Sequence, residues 1–151
     1  MRRHAPAAFA VLALLACGAP LAAQQQAPRP EFITGNPAMP FSQAVRVGHT
    51  IYLSGMIGDS ADTVVRGGIR PETRRTMENI KSTLERLGSG MDDVVKCSVF
   101  LADIQEWAAM NEVYVGFFPN HRPARSALGT NGLVRNARVE IDCVAVTSAG
   151  R

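Results

Sequence analysis

Two short stretches carry side chains that could do chemistry. The first is His121-Arg122-Pro123-Ala124-Arg125-Ser126. Pro123 fixes the chain direction just before Arg125, at the start of a strand that follows a helix-ending loop. A guanidinium placed there points at a rim or cleft. It can grip a carboxylate through two parallel hydrogen bonds. A solvated arginine or a plain ion pair is the competing reading of the same residues. The second stretch is Val139-Glu140-Ile141-Asp142. Strand alternation puts Glu140 and Asp142 on one face and Val139, Ile141 and Cys143 on the other. An acid flanked by β-branched residues is partly desolvated. Desolvation raises its pKa and suits it to hold or polarise a water. An edge charge that discourages strand pairing would look the same from spacing alone.

The elements that must position these groups can be read from periodicity. Ala44–Val47 and Thr50–Ile57 are rich in β-branched residues, with Gly48-His49 between them, a hairpin pattern. Asp59–Gly68 reads as a polar loop. Pro71 opens a helix on which Met77, Ile80, Leu84 and Leu87 form one apolar stripe, and Gly88 closes it. Arg74, Arg75, Glu78, Lys81 and Glu85 fall on the outward positions. Val94–Leu101 is an eight-residue strand. Asp103 and Glu106 form a capping-box-like pair ahead of a second helix, whose stripe is Trp107, Met110, Tyr114 and Phe117. Pro119 stops it. A final strand runs from Arg138 to Val146. The order β-β-α-β-α-(β)-β predicts a two-layer α+β domain, a sheet on two helices.

The chain has 151 residues and a formal net charge of +3. Residues 1–23 contain no acid and a short uninterrupted apolar run, Phe9–Ala16, behind Arg2 and Arg3. A basic start, a short apolar core and small residues are the pattern of a secretory signal peptide. The run is too short for the ~20 residues that span a bilayer. Two processing readings stay open. Cleavage after Ala23 would release a soluble protein. Alternatively Leu14-Leu15-Ala16-Cys17 resembles a bacterial lipobox, and lipidation of Cys17 would tether the domain to a membrane. Either way the expectation is export, to the periplasm or beyond. Residues 24–38 read as a polar linker and 39–148 as the domain.

Without Arg2 and Arg3, 14 basic residues face 13 acidic ones. That balance argues against a nucleic-acid partner, which needs a concentrated basic face. Cys97 and Cys143 sit in apolar, strand-like runs. An exported chain could join them, but the reading taken is buried free thiols. No Cys-x-x-Cys is present, and His49 and His121 have no ligand spacing with the cysteines, so no metal site is expected.

Taken together, Pro123-Ala124-Arg125-Ser126, Leu133 and Val139-Glu140-Ile141 resemble the signature of the RidA (YjgF) family of reactive-intermediate deaminases. Pro40-Phe41-Ser42-Gln43-Ala44, Ile51-Tyr52-Leu53-Ser54-Gly55, Asn79-Ile80, Asp93-Val94-Val95-Lys96 and Asn111-x-x-Tyr114-x-x-Phe117-Phe118 extend the likeness over roughly residues 39–146. The resemblance implies a chorismate-mutase-like fold, a homotrimer with clefts between subunits, and no metal or organic cofactor. It implies hydrolysis of 2-imino or enamine acids, such as 2-iminobutanoate and 2-iminopropanoate, to 2-oxo acids and ammonia. In that scheme Arg125 binds the substrate carboxylate and Glu140 serves the attacking water. Phe41, Ser54, Gly55, Asn111 and the backbone at Ala127 would line the cleft. Phe41 stands where many active members have tyrosine, Met56 where glutamine is common, and Ala127 where cysteine is often found. A non-catalytic trimer binding small carboxylates, or a scaffold protein, is the alternative.

Overall fold

The computed structural model describes residues 27–60 and 63–147. The expected leader, with Cys17, lies outside the described residues. Nine strands and two α-helices follow one another among those described. β1 (Pro30–Ile33), β2 (Ala44–Val47), β3 (Thr50–Leu53) and β4 (Met56–Ile57) come first. A small hairpin, β5 (Asp59–Ser60) and β6 (Thr63–Val64), leads into α1 (Ile69–Arg86). Then come β7 (Val94–Leu101), α2 (Trp107–Tyr114), β8 (Ala124–Gly129) and β9 (Val139–Val146).

The main sheet runs β1-β2-β3-β9-β7-β8, with β4 also paired to β9. All pairings in it are antiparallel except β7 with β8. A parallel pair cannot be closed by a tight turn. The connection through α2 carries the chain back, and that is what places Arg125 at the start of an edge strand. The stretch read as a linker contributes β1, whose Phe32 pairs with Val45 of β2. Gly48, with φ +58, makes the β2–β3 turn, as the Gly48-His49 pattern predicts.

Both helices cover one face of the sheet. Met77, Ile80 and Leu84 of α1 are fully buried against Ile51, Val99, Leu101, Val139 and Ile141. On α2, Met110 and Tyr114 join the core, but Trp107 of the expected stripe is 45% exposed. Asp103 accepts from the Gln105 N–H, as a cap should. The expected capping-box partner, Glu106, instead pairs with Arg138, Oε2 lying 2.8 Å from Nε.

The cysteines are a correction to the sequence reading. Cys97 of β7 and Cys143 of β9 stand directly opposite in register and are joined by a disulfide, with Cα atoms 4.1 Å apart. Alternation explained why each is buried. It could not show that two strands 46 residues apart in sequence set them side by side.

The other face of the sheet carries no helix. A cross-strand row of Phe32, Val45, Tyr52 and Val144 runs over it, each residue the register partner of the next. Phe32 is 69% and Tyr52 49% exposed. Leu128 and Val146 are exposed as well.

Candidate functional site

The expected strand Thr50–Ile57 is broken, and the break builds one half of the site. Tyr52 pairs with Val144 and Met56 with Ile141, so the three residues Leu53, Ser54 and Gly55 face only Asp142 and Cys143. One extra residue is a bulge, a device that kinks a strand and re-aims its side chains. The Ser54 hydroxyl donates to the Ser42 carbonyl at 2.7 Å, and the Ser54 N–H to the Gln43 carbonyl at 3.0 Å. These bonds pin the segment that carries Phe41.

Gly55 lies against Glu140. A Cβ at position 55 would collide with Oε1 and stand 2.9 Å from Cδ. A glycine is therefore needed for the carboxylate to lie where it does. Glu140 is half-buried, and no donor among the described residues bonds its carboxylate. Its pKa is raised, first by burial and then by the charge of Asp142. Such a group holds a proton more readily than an ordinary carboxylate and has lone pairs free for a water.

Glu140, Ser54, Gly55, Met56 and Phe41 line one cleft of about 820 Å³. Phe41 stands half-exposed at its rim. Residues of α1, among them Arg75, Asn79 and Arg86, form a wall. Asn79 donates to the carbonyls of Ile57 (3.0 Å) and Asp59 (3.2 Å), tying α1 to β4.

The other half is built around Arg125. Its Nη1 donates to Asn111 Oδ1 at 2.6 Å. Its Cζ lies 4.8 Å from the Tyr114 ring centroid and 5.7 Å from that of Trp107. Trp107, Asn111 and Tyr114 share one face of α2 at spacings of four and three. Two aromatic faces and one amide oxygen therefore cradle the guanidinium, a cation–π arrangement that fixes its plane while leaving most of its donors free. Burial pushes the Tyr114 hydroxyl up to about 12, against the opposing charge of Arg125. Tyr114 therefore stays neutral at any ordinary pH. Ala127 lies two residues further along β8, half-buried and opposite Val99.

Arg125 and Glu140 do not meet within one chain. Arg125 is in register with Cys97, which pairs with Cys143, and so points to the helix side. Glu140 points to the other side, as its alternation with buried Val139 and Ile141 requires. Two strand spacings and three residues along β9 separate their Cα atoms by roughly 14 Å.

One polar anchor was not read from the sequence. Glu72, on the first turn of α1, is 2% exposed, and its Oε1 accepts the N–H groups of Arg138 (2.5 Å) and Val139 (3.3 Å). It clamps the start of β9 just before Glu140. Burial raises its pKa. In sequence it resembles one more charge on an exposed helix face, so no signal distinguished it.

The chain matches the protein family described as Endoribonuclease L-PSP over residues 33–147. It is 44% identical over 112 residues to a 2-iminobutanoate/2-iminopropanoate deaminase of Dermatophagoides farinae, covering 73% of this chain and 88% of that one. It is 39% identical over 109 residues to the human protein of the same name, covering 71% and 80%. Among solved structures it resembles RidA from an Antarctic Psychrobacter, with a TM-score of 0.69, 33% identity, and coverage of 82% of this chain and 100% of that one. The signature around Arg125 and Glu140, the α+β fold and these relatives agree: the chain belongs to the RidA/YjgF family.

Proposed function

We propose that the chain is an imine/enamine deaminase that works outside the cytoplasm as a homotrimer, with each cleft built from two subunits. The observation that carries this reading is the separation of Arg125 from Glu140. One chain offers a cradled guanidinium at a sheet edge and a free, partly desolvated carboxylate in a cleft some distance away. A second copy that brings its Arg125 over the cleft of the first completes the set. The uncovered apolar row on the helix-free face supports self-association, since a contiguous row of exposed apolar side chains commonly marks an interface.

In the completed cleft Arg125 would hold the substrate carboxylate with paired hydrogen bonds. Glu140 would orient a water at the imine carbon. As the water oxygen bonds to carbon, Glu140 takes its proton. It returns that proton to the substrate nitrogen, giving a carbinolamine. The carbinolamine hydroxyl proton then passes through Glu140 to the same nitrogen as the carbonyl forms, the carbon–nitrogen bond breaks, and a 2-oxo acid and ammonia leave. No electrons are exchanged, and positioning with a modest acid–base term is enough for so reactive a substrate. The names of the relatives support this class of reaction. RNA cleavage is less well supported, because the balance of 14 basic to 13 acidic residues beyond Arg3 supplies no general attraction for phosphate chains.

Export rests on the leader pattern of residues 1–23 and is supported by the Cys97–Cys143 bond, since disulfides persist in oxidising compartments. The soluble and the Cys17-lipidated forms differ in the mass of the mature N-terminus. Phe41 and Met56 replace polar side chains in the cleft, which favours the non-catalytic carboxylate-binding trimer as the second reading.

The test generates 2-iminopropanoate with an amino-acid oxidase and follows its decay with and without the purified protein. Acceleration over buffer is expected, lost by about 100-fold or more in Arg125→Ala and poorly restored by Arg125→Lys. No acceleration by the native chain would leave the binding reading in its place.

A further inference from the structure

In one chain the cleft is an open groove of about 820 Å³. Its lining includes three guanidinium groups, those of Arg75, Arg86 and Arg135. Two of them face an acid of their own. Arg75 lies 3.5 Å from Glu78, and Arg135 lies 3.1 Å from Asp59. Arg86 differs. Its Nη2 donates to Thr83 Oγ1 at 3.1 Å and to Gln43 Oε1 at 3.2 Å, both neutral. No carboxylate among the described residues lies within ion-pair distance of it.

The dipole of α1 would welcome any cation in its last turn. That explains a positive charge at position 86 but not two neutral anchors that hold it over the cleft. Gln43 also links Arg86 to the reacting end. Its carbonyl accepts the Ser54 N–H, and Ser54 adjoins the glycine that Glu140 lies against. Met39, Phe41 and Met56 give the same cleft an apolar lining suited to methylene groups.

Resting on the deaminase reading for the reacting end, we infer that Arg86 anchors a second anion subsite, and that the cleft selects 2-imino acids whose side chain ends in a carboxylate. The α-carboxylate goes to Arg125 brought by a second copy, the imine carbon to the water held by Glu140, and the distal carboxylate to Arg86 of the same chain as Glu140.

Two product-like probes of equal length test this by titration calorimetry on the purified chain: 2-oxoglutarate, with a terminal carboxylate, and 2-oxopentanoate, with a terminal methyl. The expected result is binding of 2-oxoglutarate tighter by about three- to tenfold, since Arg86 is exposed and solvent screens part of the pairing. Arg86→Ala should erase the difference, and Arg86→Lys should keep part of it. Equal affinities, a preference that survives Arg86→Ala, or no binding of either probe each overturn the subsite. A kinetic arm compares the imines made by oxidation of glutamate and of 2-aminopentanoate. Equal acceleration of both removes the subsite and leaves the deaminase reading standing. Acceleration of neither, with the binding preference intact, removes the deaminase reading and leaves the subsite as the selectivity of a binding protein.

Discussion

Gly55 and Glu140 are packed so closely that the glycine hydrogen stands where a methyl would strike the carboxylate. Gly55→Ala should therefore displace the carboxylate rather than unfold the domain. The expected outcome is a loss of deaminase activity of at least about tenfold, with a stability cost of about 1–3 kcal/mol typical of a locally overpacked site. Steady-state rates beside a urea titration would measure both. Native-like kcat/KM in Gly55→Ala would show that the position of Glu140 does not matter.

Asp142 shares a strand face with Glu140 and helps to raise its pKa. Removing that negative charge lowers the pKa of Glu140. If the carboxylate form accepts the proton of water, Asp142→Asn should move the acidic limb of the kcat/KM profile to lower pH. Burial, the larger cause, remains, so the limb should still lie above that of an ordinary carboxylate. A limb that moves upward, or does not move, would contradict the assignment of Glu140 as the titrating group.

The Cys97–Cys143 bond closes a segment spanning 46 residues between two central strands. The chain-entropy argument sets its contribution at about 4 kcal/mol. Cys97→Ala with Cys143→Ala should lower the unfolding free energy from a denaturant titration by that amount, and a reductant added during unfolding should do the same to the native chain. Identical unfolding curves with and without reductant would show that the purified protein holds free thiols.

Tyr52 stands in the centre of the uncovered apolar row. Tyr52→Glu places a charge there without touching Arg125 or Glu140. Light scattering should show a fall from about three chains per particle to one, and activity should fall with it. A monomeric variant that keeps full activity would mean that one chain completes its own site.

Much of this arrangement is legible in the local sequence. The α1 stripe, the Gly48 turn and the alternation of β9 follow from local periodicity, and each side chain falls on the face its spacing assigns. What failed was non-local. The Thr50–Ile57 run has no residue that announces a break; the bulge at Ser54-Gly55 exists because β3 and β4 share one partner strand in two registers. Trp107 fits the apolar spacing of α2, yet it sits over Arg125, a residue that arrives from another strand. Cys97 and Cys143 needed a register that neither run encodes alone. Glu72 is buried because β9 begins beside it with two backbone N–H groups to satisfy. Arg125 and Glu140 both stand out in the sequence through their neighbours, Pro123 and the β-branched run of β9. Their placement on opposite faces of one sheet emerges only when the strand order is known.

The aromatic cradle of Arg125 has a practical meaning as well. Trp107 is the only tryptophan in the chain. It is nearly half-exposed, with its ring 5.7 Å from the guanidinium carbon. Any anion that docks on Arg125 must alter the surroundings of that indole. The protein's own ultraviolet emission thus becomes an optical reporter of occupancy, read without a label and without turnover.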